Sequence, residues 1–191
     1  MKSRNIILFA SILMVTAIVG KILAQTTTPA HPDTRNRVNE SPRSMSSDAV
    51  FMKTLAIGGI AEVEAGTLAT SKAGNKEVKH FAERMVNEHS KNNEQLKALA
   101  KEKLVDLPTV VDADHAATQA KLEQESGSDF DAEYMKSQVR DHRKTAQLLK
   151  REINDGQDAE IKAFAQETLT VVRHHLEMAR DLQAKISHSS H

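Results

Sequence analysis

The chain has 191 residues, which suits one domain with short extensions. It has no cysteine, which excludes disulfide, zinc-thiolate, iron–sulfur and thiol-nucleophile chemistry. Basic and acidic residues balance at 26 each, tryptophan is absent and Tyr134 is the single tyrosine, so neither an electrostatic footprint nor a stacking platform for nucleic acid is present.

In chain order, Lys2 and Arg4 precede an apolar run from Ile6 to Val19, broken only by Ser11 and Thr16, and Ile22-Leu23-Ala24 leads into polar Gln25. A basic start, a short apolar stretch and a small residue at a cut site describe a secretory signal. Residues 1–24 are therefore predicted to be a signal peptide removed after Ala24, with the rest exported to the periplasm or beyond and no transmembrane segment left after cleavage. Ile22 is bulky for its place before the cut, so an uncleaved N-terminal anchor is the alternative. Removal takes three bases and no acid, leaving 23 basic against 26 acidic residues. Residues 25–47 carry Thr26-Thr27-Thr28-Pro29, Pro32, Pro42 and several serines, with little apolar material to bury. They are predicted to be a disordered tether.

From Asp48 the composition shifts to helix formers, and a bundle domain is predicted over 48–187. Helix A runs from about Asp48 to Ala73, capped by Ser46 or Ser47. Gly74 is predicted to be its left-handed stop and Asn75 the cap of helix B, which reaches about Lys103. Leu107-Pro108 breaks the pattern, and a weaker helix spans about Ala113–Glu125. Ser128 and Asp131 have the spacing of a capping box for helix C, which reaches about Asn154. Asp155-Gly156 makes a turn, helix D covers about Asp158–Ile186, and 188–191 form a frayed tail. Two tight turns and one longer connection predict an all-α fold. It is a ferritin-like antiparallel four-helix bundle: two helical hairpins joined by a longer crossover with a short helix.

The inward stripe of each long helix is mostly apolar or small and carries one titratable group: Glu62, His89, His142 and His175. Counted from the turns, Glu62 and His89 differ in height by about 4–5 Å and His142 and His175 by about 6–8 Å, so the four could share a layer only loosely. His174 points roughly 100° away from His175, so one of the two faces the core. Three imidazoles and a carboxylate suit a transition metal, zinc, copper or iron. The competing reading is a polar core layer whose members satisfy one another, and in it the histidines would charge and loosen the bundle at mildly acidic pH. A diiron carboxylate site needs Glu-x-x-His pairs. The residues three before the histidines are Val86, Val139 and Val172, so that signature is absent. Gly58, Gly59 and Gly66 cost helix propensity and are read as close packing of helix A on a neighbour. No nucleophile elbow or phosphate loop occurs.

The run Gly58-Gly59-Ile60-Ala61-Glu62-Val63-Glu64-Ala65-Gly66, then Val78-Lys79-His80-Phe81-Ala82-Glu83-Arg84-Met85-Val86-Asn87-Glu88-His89, resembles bacterial envelope proteins of the "domain of unknown function 4142" family. Phe130-Asp131, Tyr134, Asp141-His142, Phe164-Ala165 and His175-Leu176 agree in the second half, so the likeness covers about residues 48–186. It implies a ferritin-like bundle behind a signal peptide or lipoprotein signal, with Glu62, His89, His142 and His175 at the family's recurring polar positions. It implies no agreed activity. The family often has a proline upstream of its last histidine where this chain has Leu169-Thr170-Val171, which bears on a kink in helix D.

Two functional expectations follow. One is a non-enzymatic envelope module, binding a protein partner or serving under stress, motivated by the lack of a complete catalytic constellation. The other is a metal-binding ferritin-like protein using the Glu/His layer.

Overall fold

The computed structural model describes residues 46–189. The expected signal segment and all but the last two residues of the expected tether lie outside the described residues. Five helices follow in order: α1 (Ser47–Lys72), α2 (Lys76–Glu102), α3 (Ala113–Gln124), α4 (Gly127–Asp155) and α5 (Ala159–Ser189). There is no β-strand among the described residues. α1 packs along α2 and α4 along α5, as two antiparallel hairpins. The hairpins close into a ferritin-like bundle through α1–α4 and α2–α5 contacts, with α3 lying on α1 and α4. α5 runs three residues beyond its expected end.

Local chemistry sets the helix starts. Ser46 Oγ accepts from the Ala49 amide, Asn75 Oδ1 from Glu77 and Asp112 Oδ1 from His115. Two expectations about the turns need correction. Gly74 does not adopt a left-handed φ, since Gly127 is the described glycine that does. Gly74 is needed for space instead, because a Cβ there would sit 3.2 Å from Gly127 Cα, where the crossover passes. Ser128 and Asp131 form no capping box either. α4 starts at Gly127 after Ser126, and Asp131 reaches the other hairpin, accepting from the Gly74 amide at 3.1 Å and the Asn75 amide at 2.8 Å. Asp48, at the start of α1, does the same for the α4–α5 turn through the amides of Gln157 and Asp158, at 3.0 and 2.9 Å. Each hairpin thus caps the turn of the other.

α2 ends in a Schellman motif, with Val105 N–H donating to Ala100 O and Leu104 N–H to Lys101 O. Leu104 takes the left-handed position, φ 57°, that glycine usually fills, and its side chain is 92% exposed.

The core has two apolar compartments. One, toward the α1–α2 turn, is built on Val78, Phe81, Met85, Phe130, Tyr134 and Leu182. The other, toward the α4–α5 turn, is built on Phe51, Met52, Leu55, Leu96, Leu149 and Val172. Between them the helix stripes pass from one compartment to the other through His89, His142 and His175. A polar layer therefore interrupts the core at mid-height.

Candidate metal centre

α2, α4 and α5 each deliver one imidazole to this layer. His142 Nε2 lies 3.3 Å from His89 Nε2 and 3.3 Å from His175 Nδ1. The ring centroids form a near-equilateral triangle with sides of 5.2, 5.3 and 5.4 Å. His142 and His175 are 1% and 0% exposed, and His89 sits at the edge of the layer.

The hydrogen bonds on the outer sides of two rings fix their tautomers. His142 Nδ1 lies 3.0 Å from the carbonyl oxygen of Gln138, which only accepts, so Nδ1 carries the hydrogen and Nε2 a lone pair. His175 Nε2 lies 2.7 Å from Glu88 Oε2 and donates to that carboxylate, which leaves Nδ1 with a lone pair. The facing nitrogens, His142 Nε2 and His175 Nδ1, therefore both point lone pairs into the triangle. Such a pair is unfavourable unless a donor or cation meets it: in the metal-free layer His89 Nε2–H can donate to His142 Nε2 at 3.3 Å, and a cation would serve both lone pairs. Two nitrogens 3.3 Å apart, each at a ligand distance of about 2.0–2.1 Å from one point, subtend about 105–110° there, close to the tetrahedral angle. The donor set fits a small late transition-metal ion.

The electrostatics suit ligation. Burial pushes His142 and His175 down to about 4. Burial, then the neighbouring imidazoles, holds His89 well below its ordinary value. All three are neutral at pH 7, as metal ligands must be. Burial alone would raise Glu88, but its hydrogen bond and attraction to His175, with Arg84 beside it, outweigh that and lower it, so it stays an acceptor.

Glu62, expected with the three histidines, is placed differently. It is buried, but its carboxyl stands behind His142, with Oε1 3.4 Å from Nδ1 and Oε2 accepting from Gln138 Nε2 at 2.7 Å. Burial lifts it to about 8, so it is protonated at neutral pH. The structure brings His89, His142 and His175 together and sets Glu62 in the surround. His174 is exposed on the other side of α5. The residue that sequence reasoning missed is Glu88. It lies off the inward stripe, beside His89, and only the approach of α5 to α2 shows that it serves His175. The competing reading, a layer satisfied internally, is met in part: Asn92 Nδ2 donates to Thr168 Oγ1 at 3.0 Å, but Tyr134 Oη and Gln138 Oε1 find no partner among the described residues.

The sequence profile of a domain of unknown function, DUF4142, matches residues 33–182. The chain belongs to the DUF4142 family. A search of curated proteins finds no match. Among solved structures, a DUF305 fragment from Deinococcus radiodurans superposes with a TM-score of 0.67 at 10% identity, covering 75% of this chain and 99% of that one. A DUF305 protein from Streptomyces coelicolor gives 0.63 at 17% identity, over 73% and 92%. CopM, in its Cu(II)-bound form, gives 0.62 at 12% identity, over 72% and 96%. At such identities these likenesses show a shared helical fold for this DUF4142 chain and nothing of its chemistry.

Proposed function

We propose that this DUF4142 protein is exported and binds one zinc or copper ion through His89 Nε2, His142 Nε2 and His175 Nδ1. The observation that carries this reading is the pair of buried lone pairs aimed at each other across 3.3 Å, each fixed by an acceptor on the far side of its ring. Imidazole suits zinc and copper, and an acceptor behind a ligating histidine is the usual way its orientation and basicity are set. Gln138 O and Glu88 fill that role here. CopM, which shares this fold, is known in a Cu(II)-bound form, so copper is among the ions to test. Glu62 acts from behind His142 and is not a ligand in this reading. Capture of an ion needs no catalytic step, so the protein is read as a metal-binding envelope module rather than an enzyme, open to a protein partner that delivers or receives the ion.

Export rests on the N-terminal segment, a basic start and a short apolar run ending at Ala24, and on a structural neighbour that is thought to be secreted. Among the described residues no helix is long and apolar enough to cross a membrane.

Elemental analysis of the untagged protein, purified from an exporting host and offered zinc or copper, tests the reading beside a His142→Ala/His175→Ala variant. Close to one ion per chain is expected in the parent and none in the variant, with helical circular dichroism retained in both. A parent that binds no metal after exposure to either ion overturns it. The intact mass of the same sample tests cleavage after Ala24.

A further inference from the structure

Beside the histidine layer lies a cleft of about 550 Å³. Its walls are α1 and α4, and the first turn of α3 forms its rim. His89 lines it, while His142 and His175 do not, so the layer meets the cleft at one edge. The volume is that of a small-molecule site and far exceeds what passage of a bare ion requires.

Three further features point to an occupant. Gly58 lies on the α1 wall, and a Cβ there would meet nothing within 4 Å. Gly59 and Gly66 differ: their Cβ atoms would strike Asn93 Oδ1 at 1.9 Å and Val86 Cγ2 at 2.9 Å, so close packing explains them. Gly58 weakens the helix by about 0.5–1 kcal/mol relative to alanine, and what it gains is open space in the cleft. Next, Lys144 and Arg151 stand two turns apart on the α4 wall, and neither has a carboxylate partner among the described residues, whereas Arg140 is tied to Asp141. On the opposite rim, Asp112 is already engaged by His115 and Asp114 remains, and Glu62, which also lines the cleft, is held protonated by its burial. Leu55, Leu148 and Val172 supply apolar wall between the rim and the layer. Finally, three imidazoles around a tetrahedral ion leave a fourth position open.

We propose that the cleft receives a small organic dicarboxylate. One carboxylate completes the coordination of the ion held by the three histidines, and the other is bound by Lys144 and Arg151. This inference rests on the metal reading above. Three neutral imidazoles bring no charge to a divalent ion, and Glu88, behind His175, offsets part of the ion's charge, so an anionic head is favoured at the open position. The two free cations at the rim select a second anionic end.

The test uses the Cu(II)-loaded protein, whose visible and paramagnetic resonance spectra report the ligands of the ion. Azide probes the open position, and succinate, acetate and inorganic phosphate probe the cleft. Azide and succinate are each expected to shift the spectra of the parent, with succinate binding at least tenfold more tightly than acetate or phosphate. Lys144→Ala/Arg151→Ala should weaken succinate about tenfold and leave azide unchanged. Gly58→Leu, which improves helix propensity, should exclude succinate and leave copper bound. Failure to load copper or zinc overturns the metal reading and this one with it. A loaded protein whose spectra ignore every anion overturns the open position, and with it this proposal, and leaves the metal reading standing. Succinate binding no tighter than acetate, or equal in the parent and both variants, overturns the assignment to the cleft.

Discussion

Glu62→Gln is expected to steepen the loss of stability of the metal-free protein on acidification. Between pH 6.5 and 4.5 the unfolded chain protonates His89, His142 and His175, whose ordinary value is 6.5, while burial in the fold holds His142 and His175 neutral to about 4 and His89 well below 6.5. A depressed histidine contributes stability above pH 6.5 that is lost as pH falls toward its folded value. Two carboxyls work in the opposite direction. Burial lifts Glu62 from 4.5 to about 8, and burial with nearby Asp48 lifts Glu152 from 4.5 to about 7. Their contribution is fully present below pH 4.5 and is lost as pH rises through 7 to 8. Across the window the unfolded state takes up two protons, on His142 and His175, that the fold refuses, and the fold holds two, on Glu62 and Glu152, that the unfolded state lacks. His89, depressed in the same direction as the other two histidines, tips the balance, so the parent should lose stability gently on acidification. The amide introduced by Glu62→Gln still accepts from Gln138 but carries no titrating proton, so the variant's loss should be steeper than the parent's by about 1.4 kcal/mol per unit, about 2.7 kcal/mol over the window. Its stability should exceed the parent's by about 2.7 kcal/mol at pH 6.5 and meet it near pH 4.5. Against a typical total of about 5–15 kcal/mol these differences are large. Urea unfolding followed by circular dichroism, with chelator present, at four pH values from 4.5 to 7.5 measures them. Parallel curves for parent and variant would refute the protonated buried Glu62, and a variant curve that is flat or rises on acidification would refute the neutral buried histidines.

Other perturbations test single parts of the structure. Glu88→Gln keeps the shape of the acceptor behind His175 but removes its charge, and chelator competition should show metal affinity falling about 10–100-fold; an unchanged affinity would mean that Glu88 does not tune the ligand. Leu104→Gly relieves a left-handed residue whose side chain is almost fully exposed, and should raise stability by about 1 kcal/mol in urea unfolding. Asp48→Ala and Asp131→Ala each strip two backbone amides of their acceptor and should each cost about 1–2 kcal/mol. Because the two caps serve turns at opposite ends of the bundle, the double variant should lose close to the sum, and strong coupling between them would refute independent caps.

The errors in reading the turns share a cause. Gly74 and Ser128-x-x-Asp131 look like complete local signals, because a glycine after a helix and a serine three residues before an acid usually act within their own segment. Here the partners are remote. Gly74 is small because Gly127 crosses over it, and Asp131 caps a turn some 56 residues away in sequence. The glycines of α1 divide in the same way. Gly59 and Gly66 answer to side chains of α2, as periodicity suggested, and Gly58 answers to open space, which no pattern along one helix reveals.

Helices, hairpins and the inward faces of the three histidines were legible from the sequence alone, because caps and a 3.6-residue period act over a few residues and each helix declares its own stripe. The tertiary structure alone decided which groups converge. The rotation and height of α1 relative to α4 put Glu62 behind His142, and the approach of α5 to α2 brought Glu88 onto His175. Those positions follow from side-chain packing between helices far apart in the chain, where a small shift in height or rotation decides whether a carboxylate joins the three imidazoles or stands behind one of them.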